Sequence, residues 1–237
     1  MNKILNHNIQ LFDVVKDCDY LFQKEHRLRG DVAIDMFKEI MDKKTGHQKM
    51  LSIACSIGVI EEKMKRVFDI QIYGVDAAGH TLEEAKKRGI VTTCADITER
   101  LPYQGSFFDY VFAGEIIEHI LNTKYFLSEL YRILKPNGYI VITTPNLARI
   151  DDRFKLLFGK TPRQTSPFHP YLYLHIRPFT YHSLKKTLEL SGFTDVKLKT
   201  NVFTIEVYRK RINIYSKLLT RLFPTLGSTL IVRARKS

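Results

Sequence analysis

Apolar runs short enough for strands alternate with segments of helical period along most of this chain. Residues 50–55, Met-Leu-Ser-Ile-Ala-Cys, are nearly continuous in apolar character, the pattern of a strand covered on both faces. Runs of the same kind lie at 70–75, 90–93, 107–112 and 139–143. Between them, residues 61–68 predict a helix, and Thr81 opens another, with Glu84 three positions on to complete a capping box. Residues 116–121 open the next helix. Residues 125–134 predict a clean amphipathic one, with Phe126, Leu127, Leu130, Ile133 and Leu134 on one face and Lys135-Pro136-Asn137-Gly138 as its stop. A helix over 181–191 and strands near 195–199 and 230–233 follow. In front, residues 1–45 predict a helical cap, carrying Val32, Ile34, Met36, Phe37, Ile40 and Met41 as an apolar stripe. Within it, His26-Arg27-Leu28-Arg29-Gly30 reads either as cover for a site or as surface charge.

Alternating strands and helices predict an α/β fold, a parallel sheet with right-handed crossovers. In such sheets ligands lie beyond the carboxyl ends of the strands. Residues 54–58, 76, 96, 113–115 and 144–146 fall on that rim. The first turn, through Ala54, Ser56 and Gly58, is built of small residues, so its backbone N–H groups can approach a ligand. One glycine is a weak signal, and an ordinary strand–helix corner stays open. Asp76 ends the second strand, 18 residues after Gly58, where a carboxylate can accept from two ribose hydroxyls. Asp96 follows the third strand, where it could accept from an adenine amine with Ile97 against the ring. Either aspartate alone could be a loop cap; their places at successive strand ends point to one shared ligand.

Leu51-Ser52-Ile53-Ala54-Cys55-Ser56-Ile57-Gly58, Val75-Asp76, Ala95-Asp96, Phe108-Asp109-Tyr110-Val111 with Glu118-His119, and Leu130 through Gly138 resemble, in that order, a class I S-adenosylmethionine-dependent methyltransferase. The similarity is to the type 11 subgroup that includes ubiquinone and menaquinone biosynthesis enzymes. It is close over 48–146 and looser through 179–193. The resemblance implies a Rossmann-like, seven-stranded, mostly parallel sheet with one antiparallel strand and helices on both faces, in one domain spanning 1–237. It implies that Ala54, Cys55, Ser56 and Gly58 line the methionine and ribose part of S-adenosylmethionine. Asp76 would hold the ribose, Ala77 would lie beside the adenine, Asp96 and Ile97 would clasp it, and Glu115 would lie near the transferred methyl. The family usually has an acid where Ser52 stands and glycines where Ala54 and Ser56 stand. A lost carboxylate removes a charge-assisted hydrogen bond worth about 1.5–3 kcal/mol if unreplaced. A dinucleotide-dependent dehydrogenase, the other reading of the strand-two acid, would show the fuller glycine pattern.

Charge changes the picture of the last third. The 237 residues carry a net +12, yet residues 147–237 hold 18 Lys and Arg against 5 Asp and Glu, while residues 1–146 hold 19 against 20. The basic back suggests an anionic partner. Residues 147–178 interrupt the alternation and read as a substrate lid, with Tyr171, Tyr173 and Arg177 as candidate substrate contacts. Residues 208–223 read as a basic amphipathic helix suited either to an anionic membrane surface or to docking on the sheet. Methyl transfer to an alcohol needs a base, and His119 and His175 are the candidates, with His169 behind them. The acceptor expected is a sugar, glycan, lipid-linked or other small molecule. RNA methylation and a non-catalytic cofactor-binding module are the alternatives. The three scattered cysteines, Cys18, Cys55 and Cys94, show no metal spacing, and no metal is expected. With no secretory signal or spanning run in sight, a cytoplasmic setting is expected, with peripheral contact at a membrane.

Overall fold

A computed structural model describes residues 24–41, 48–166, 175–207 and 210–237. The first helix, α1 (Lys24–Lys38), precedes β1 (Lys49–Ile53), α2 (Val59–Val67), β2 (Gln71–Asp76), α3 (Gly79–Lys87) and β3 (Val91–Cys94). Then come β4 (Phe108–Gly114), a 3₁₀ turn (Ile117–His119), α4 (Thr123–Ile133) and β5 (Leu134–Pro145). The last third holds α5 (Ile150–Leu157), α6 (Tyr181–Leu190), β6 (Phe193–Lys199), β7 (Phe203–Val207), β8 (Lys210–Ile214), α7 (Lys217–Leu222) and β9 (Thr229–Lys236).

Seven strands form one sheet in the order β3-β2-β1-β4-β5-β9-β6. The pairs from β3 to β5 are parallel, and β9 runs antiparallel to both β5 and β6. This is the mostly parallel sheet with one reversed strand that the resemblance implies. The strand order turns back on itself between β1 and β4, so the loops after these two strands open a crevice at one end of the sheet. Register keeps their ends level: Ile53 lies opposite both Val75 and Ala113.

Each face of the sheet has its own core. Leu51 and Ile53 pack with Phe126, Leu127 and Leu130 of α4 and Leu184 and Leu188 of α6. Met50 packs on the other face with Ala33, Met36 and Phe37 of α1, Met64 of α2 and Ala85 of α3. The stripe expected at Val32, Ile34, Met36, Phe37, Ile40 and Met41 is therefore core or packed against it; the rest of the expected 1–45 cap lies largely outside the described residues.

Three local expectations need correction. Thr81 does not cap α3: the helix starts at Gly79 with Ala78 as N-cap, and Thr81 Oγ1 donates to Ala78 O, while Glu84 pairs with Lys87. Residues 208–223 are not one helix. Residues 210–214 form β8, paired antiparallel with β7, with Ile205 opposite Ile212 and Phe203 opposite Ile214; only Lys217–Leu222 is helical, capped by Ser216. Ile212 and Ile214 alternate as a strand requires, and the sequence reading took Ile212, Tyr215, Leu218 and Leu219 at helical spacing instead. Lys135-Pro136-Asn137-Gly138 does not separate α4 from its strand: β5 begins at Leu134, and the run is an irregularity within it, with Asn137 at φ 62°.

The loop after β1 is wound left-handed at alternate residues: φ is 54° at Ala54, 48° at Ser56 and 78° at Gly58. The first two are the positions where the resemblance leads one to expect glycine. A Cβ on Gly58 would stand 2.4 Å from Ile90 Cδ1 and 3.3 Å from Ala85. Gly58→Ala should thus lower stability by about 1–3 kcal/mol, read as a fall in Tm, whereas Ser56→Gly should leave it within about 1 kcal/mol of wild type or raise it. Equal melting of Gly58→Ala and the wild type would contradict this account of the loop.

Candidate active site

Five strand-end loops converge on the crevice. After β1, the backbone turns under itself: Gly58 N–H donates to Cys55 O, and Gly58 then caps α2. Asp76, at the tip of β2, reaches across to this loop. Its Oδ2 accepts from Ser56 N–H at 2.8 Å, and its Oδ1 accepts from Ala78 N–H at 2.9 Å. Burial raises its carboxyl above the ordinary range, and these N–H donors pull it back. Cys55 is buried, and burial pushes its thiol strongly upward, so it serves as a packed wall. Ala77 lies at the same tip, its carbonyl accepting from Cys94 Sγ. Past β3, Asp96 Oδ1 accepts from both Thr98 N–H and Thr98 Oγ1, as a loop cap does, and Ile97 is buried in the core with Leu101.

The loop after β4 carries the site's charge. Glu115 sits in the left-handed region at φ 52°, held there by its N–H to Thr143 of β5. Its Oε2 lies 3.2 Å from Arg29 Nη1 of α1. Glu118 is 1 % exposed, and Oε2 accepts from Thr144 Oγ1 at 2.9 Å. Burial, then the neighbouring charge of Glu115, raises the Glu118 carboxyl well above the usual range. The two expected catalytic histidines come together: the rings of His119 and His175 lie edge to face, 4.9 Å between centroids. His175 Nδ1 is 3.1 Å from Gln164 Oε1. Among the described residues, Glu118, His119 and His175 also place ligand atoms within 4.8 Å of one another, a set that could hold a divalent cation. Arg177 is exposed and braces this turn, donating from N–H to Glu118 O and from Nε to Leu121 O. Tyr171, Tyr173 and His169 lie outside the described residues.

Three buried polar atoms here have no hydrogen-bond partner: Arg29 Nε, Glu115 Oε1 and Glu118 Oε1. Buried polar groups are ordinarily satisfied, so an orphaned guanidinium N–H beside orphaned carboxylate oxygens asks for a ligand carrying both signs of charge. The amino-acid end of a methionine-derived nucleoside is such a group. The residues present therefore fit S-adenosylmethionine: Asp76 for the ribose, the 54–58 loop for the chain between, Arg29 and Glu115 for the zwitterion. Sequence reasoning named Arg29 only within the 26–30 stretch, as cover for a site or surface charge, and missed the burial of Glu118. The available signal was that Arg29 falls on the same helical face as Ala33, Met36 and Phe37, an unusual place for a charge.

Comparison with known proteins bears on the domain as a whole. Residues 51–142 match the family model described as a methyltransferase domain. The chain is 32% identical over 119 residues to phosphoethanolamine N-methyltransferase 2 of Caenorhabditis elegans, covering 48% of this chain and 27% of that one. It is 34% identical over 103 residues to the ubiquinone biosynthesis O-methyltransferase of Bartonella bacilliformis, covering 41% of each. The chain thus spans less than half the length of these curated relatives. Among solved structures it resembles an S-adenosylmethionine-dependent methyltransferase of Thermotoga maritima, described as a possible histamine N-methyltransferase. There the TM-score is 0.68 at 18% identity, over 97% of this chain and 99% of that one. Haemonchus contortus phosphoethanolamine N-methyltransferase 2, in complex with phosphomonomethylethanolamine and S-adenosylhomocysteine, gives 0.53 at 22% identity over 77% and 45%. At these identities the structural likeness is one of fold. Residues 51–142 thus match a methyltransferase domain, and the sequence motifs and strand order are similar to those of the class I S-adenosylmethionine-dependent methyltransferases of the type 11 kind.

Proposed function

We infer that this chain transfers a methyl group from S-adenosylmethionine to a nucleophilic oxygen or nitrogen of a small-molecule acceptor. The observation that carries the reading is the meeting, at one sheet end, of the Asp76-bonded loop, the Arg29–Glu115 pair and the His119–His175 pair. The cofactor supplies a methyl carbon already activated by its bond to a sulfonium, so the protein's task is mainly alignment. Asp76, Arg29 and Glu115 fix the two ends of the cofactor, and Asp96 has Oδ2 for the adenine amine. Residues 147–178 serve as the lid on the acceptor side. His175, whose Nδ1 lies beside Gln164 Oε1, is one candidate base for the acceptor's proton. His119 stands beside it. The relatives' names pair this domain with a phosphoethanolamine nitrogen and with a ubiquinone-precursor oxygen. An O-methylated sugar, glycan or lipid-linked molecule remains the first acceptor class, and the basic lid favours an anionic one.

A second reading concerns location. No helix among the described residues is long and apolar enough to cross a membrane. Yet α5 and the residue after it expose Leu157 by 75 % and Phe158 by 73 %, and α7 exposes Leu218 by 65 %. Arg153 of α5 donates to Thr225 O, in the 3₁₀ turn that follows α7. Apolar side chains among Lys155, Lys160, Lys217 and Arg221 match an anionic bilayer surface in charge and polarity.

A screen for methyl incorporation from labelled cofactor tests the activity. His119→Ala and His175→Ala should each lower turnover at least about a hundredfold with cofactor affinity within about threefold; near-normal turnover in both would remove the base. A base needs no metal, so EDTA should leave turnover within about twofold. Loss on chelation, restored by a divalent cation, would reassign Glu118, His119 and His175 as ligands. The raised Glu118 carboxyl binds its proton more tightly folded than unfolded. Stability is therefore full at low pH and falls as pH rises from about 4.5 through the raised value. Glu118→Gln should flatten that slope in melts between about pH 5 and pH 9; an unchanged slope counts against the assignment. Co-sedimentation with phosphatidylglycerol vesicles but not phosphatidylcholine vesicles, weakened by L157S/F158S, is expected of the membrane face; equal pelleting with both would exclude it.

A further inference from the structure

Glu61 is a buried acid that the proposed reaction leaves unused. It lies in the first turn of α2, three residues past Gly58, and is 3 % exposed. Its neighbour Glu62 behaves as a surface glutamate does, reaching Arg66 and Arg88. Glu61 instead points into the protein, where its Oε1 accepts from Ser52 Oγ at 2.5 Å. Among the described residues no lysine, arginine or histidine pairs with it. Burying a carboxyl with a hydroxyl for a partner costs stability, and a leucine on this helix face would pack against the sheet without that cost.

The position of the pair suggests why the acid is there. Ser52 is the β1 residue where the resemblance leads one to expect a carboxylate. From α2, Glu61 delivers one to the same spot, beneath the 54–58 loop. The charges of Glu61 and Asp76 both act on Cys55, so the two acids flank the loop between them. We propose that Glu61 is the transposed loop acid of this chain, a positioning residue that holds the 54–58 turn and contributes negative charge behind a cationic cofactor. The acid and the hydroxyl have exchanged places: serine on the strand, glutamate on the helix. The substitution at Ser52, met alone in the sequence, looks like lost function; paired with Glu61 it is a compensated exchange.

This proposal rests on the cofactor reading, and the test separates the two. Titration calorimetry with S-adenosylmethionine is run on the wild type, on Glu61→Gln and on the exchange variant S52D/E61S, with a thermal melt of each. A wild type that binds no cofactor sinks the cofactor reading and this proposal with it. With binding established, Glu61→Gln should weaken affinity about tenfold or more while its Tm holds, because a neutral amide can still accept from Ser52 and is no costlier to bury than the acid. A merely structural glutamate would show the opposite split. S52D/E61S should return affinity to within about threefold of wild type, and if Glu61→Gln fails to fold, this variant decides. Affinity within twofold of wild type in folded Glu61→Gln, or no recovery in a folded S52D/E61S, overturns the proposal.

Discussion

The structure of the site depends on one short bridge, the Asp76 carboxylate accepting from Ser56 N–H at 2.8 Å. Strand pairing alone sets β1 and β2 side by side but leaves the loop after β1 unpaired. Asp76 fixes that loop from the neighbouring strand, and its other oxygen fixes the start of the next connection through Ala78 N–H. A carboxylate is suited to this because each oxygen offers two lone pairs. With one donor on each oxygen, both retain acceptor capacity on the side facing the crevice. The left-handed turns at Ala54, Ser56 and Gly58 follow from the same constraint: the chain must present Ser56 N–H backward to Asp76 and still enter α2 three residues later.

Much of this was legible in the sequence because the rim's chemistry is local. Asp76 and Asp96 end apolar runs, and the small residues 54–58 follow one, so strand-end position can be read without knowing the fold. The histidines were legible as types, though not as a pair: nothing in the spacing of His119 and His175 requires their rings to meet. What stayed hidden involves long-range burial. Arg29 reads as helix surface charge until α1 is seen to cover the β4 loop, and Glu61 and Glu62 are indistinguishable until one is seen to turn inward. The β7–β8 hairpin was hidden for another reason. Its apolar residues fit both a period of two and a period near 3.6, and the basic residues around them tipped the reading toward a helix.

Arg29 also explains why α1 belongs to the site. Its apolar face, Ala33 through Phe37, anchors the helix on the sheet, so the guanidinium is held over the loop after β4 by packing from its own helix. Glu115 answers from a left-handed backbone that itself depends on Thr143 of β5. Strain at a charged residue and an orphaned guanidinium N–H are features that a folded core sheds unless a ligand repays them.

Two buried acids, Glu61 and Glu118, share a design. Ser52 donates to Glu61, and Thr144 donates to Glu118, each hydroxyl standing near the end of a parallel strand. A hydroxyl can donate to a carboxylate or accept from a protonated carboxyl, so it satisfies either state by rotating one bond. An arginine partner would lock the acid in its charged form, and an apolar neighbour would lock it in the neutral one. Burial favours the proton on both acids. The same hydroxyls thus let the domain carry acids into its core at tolerable cost.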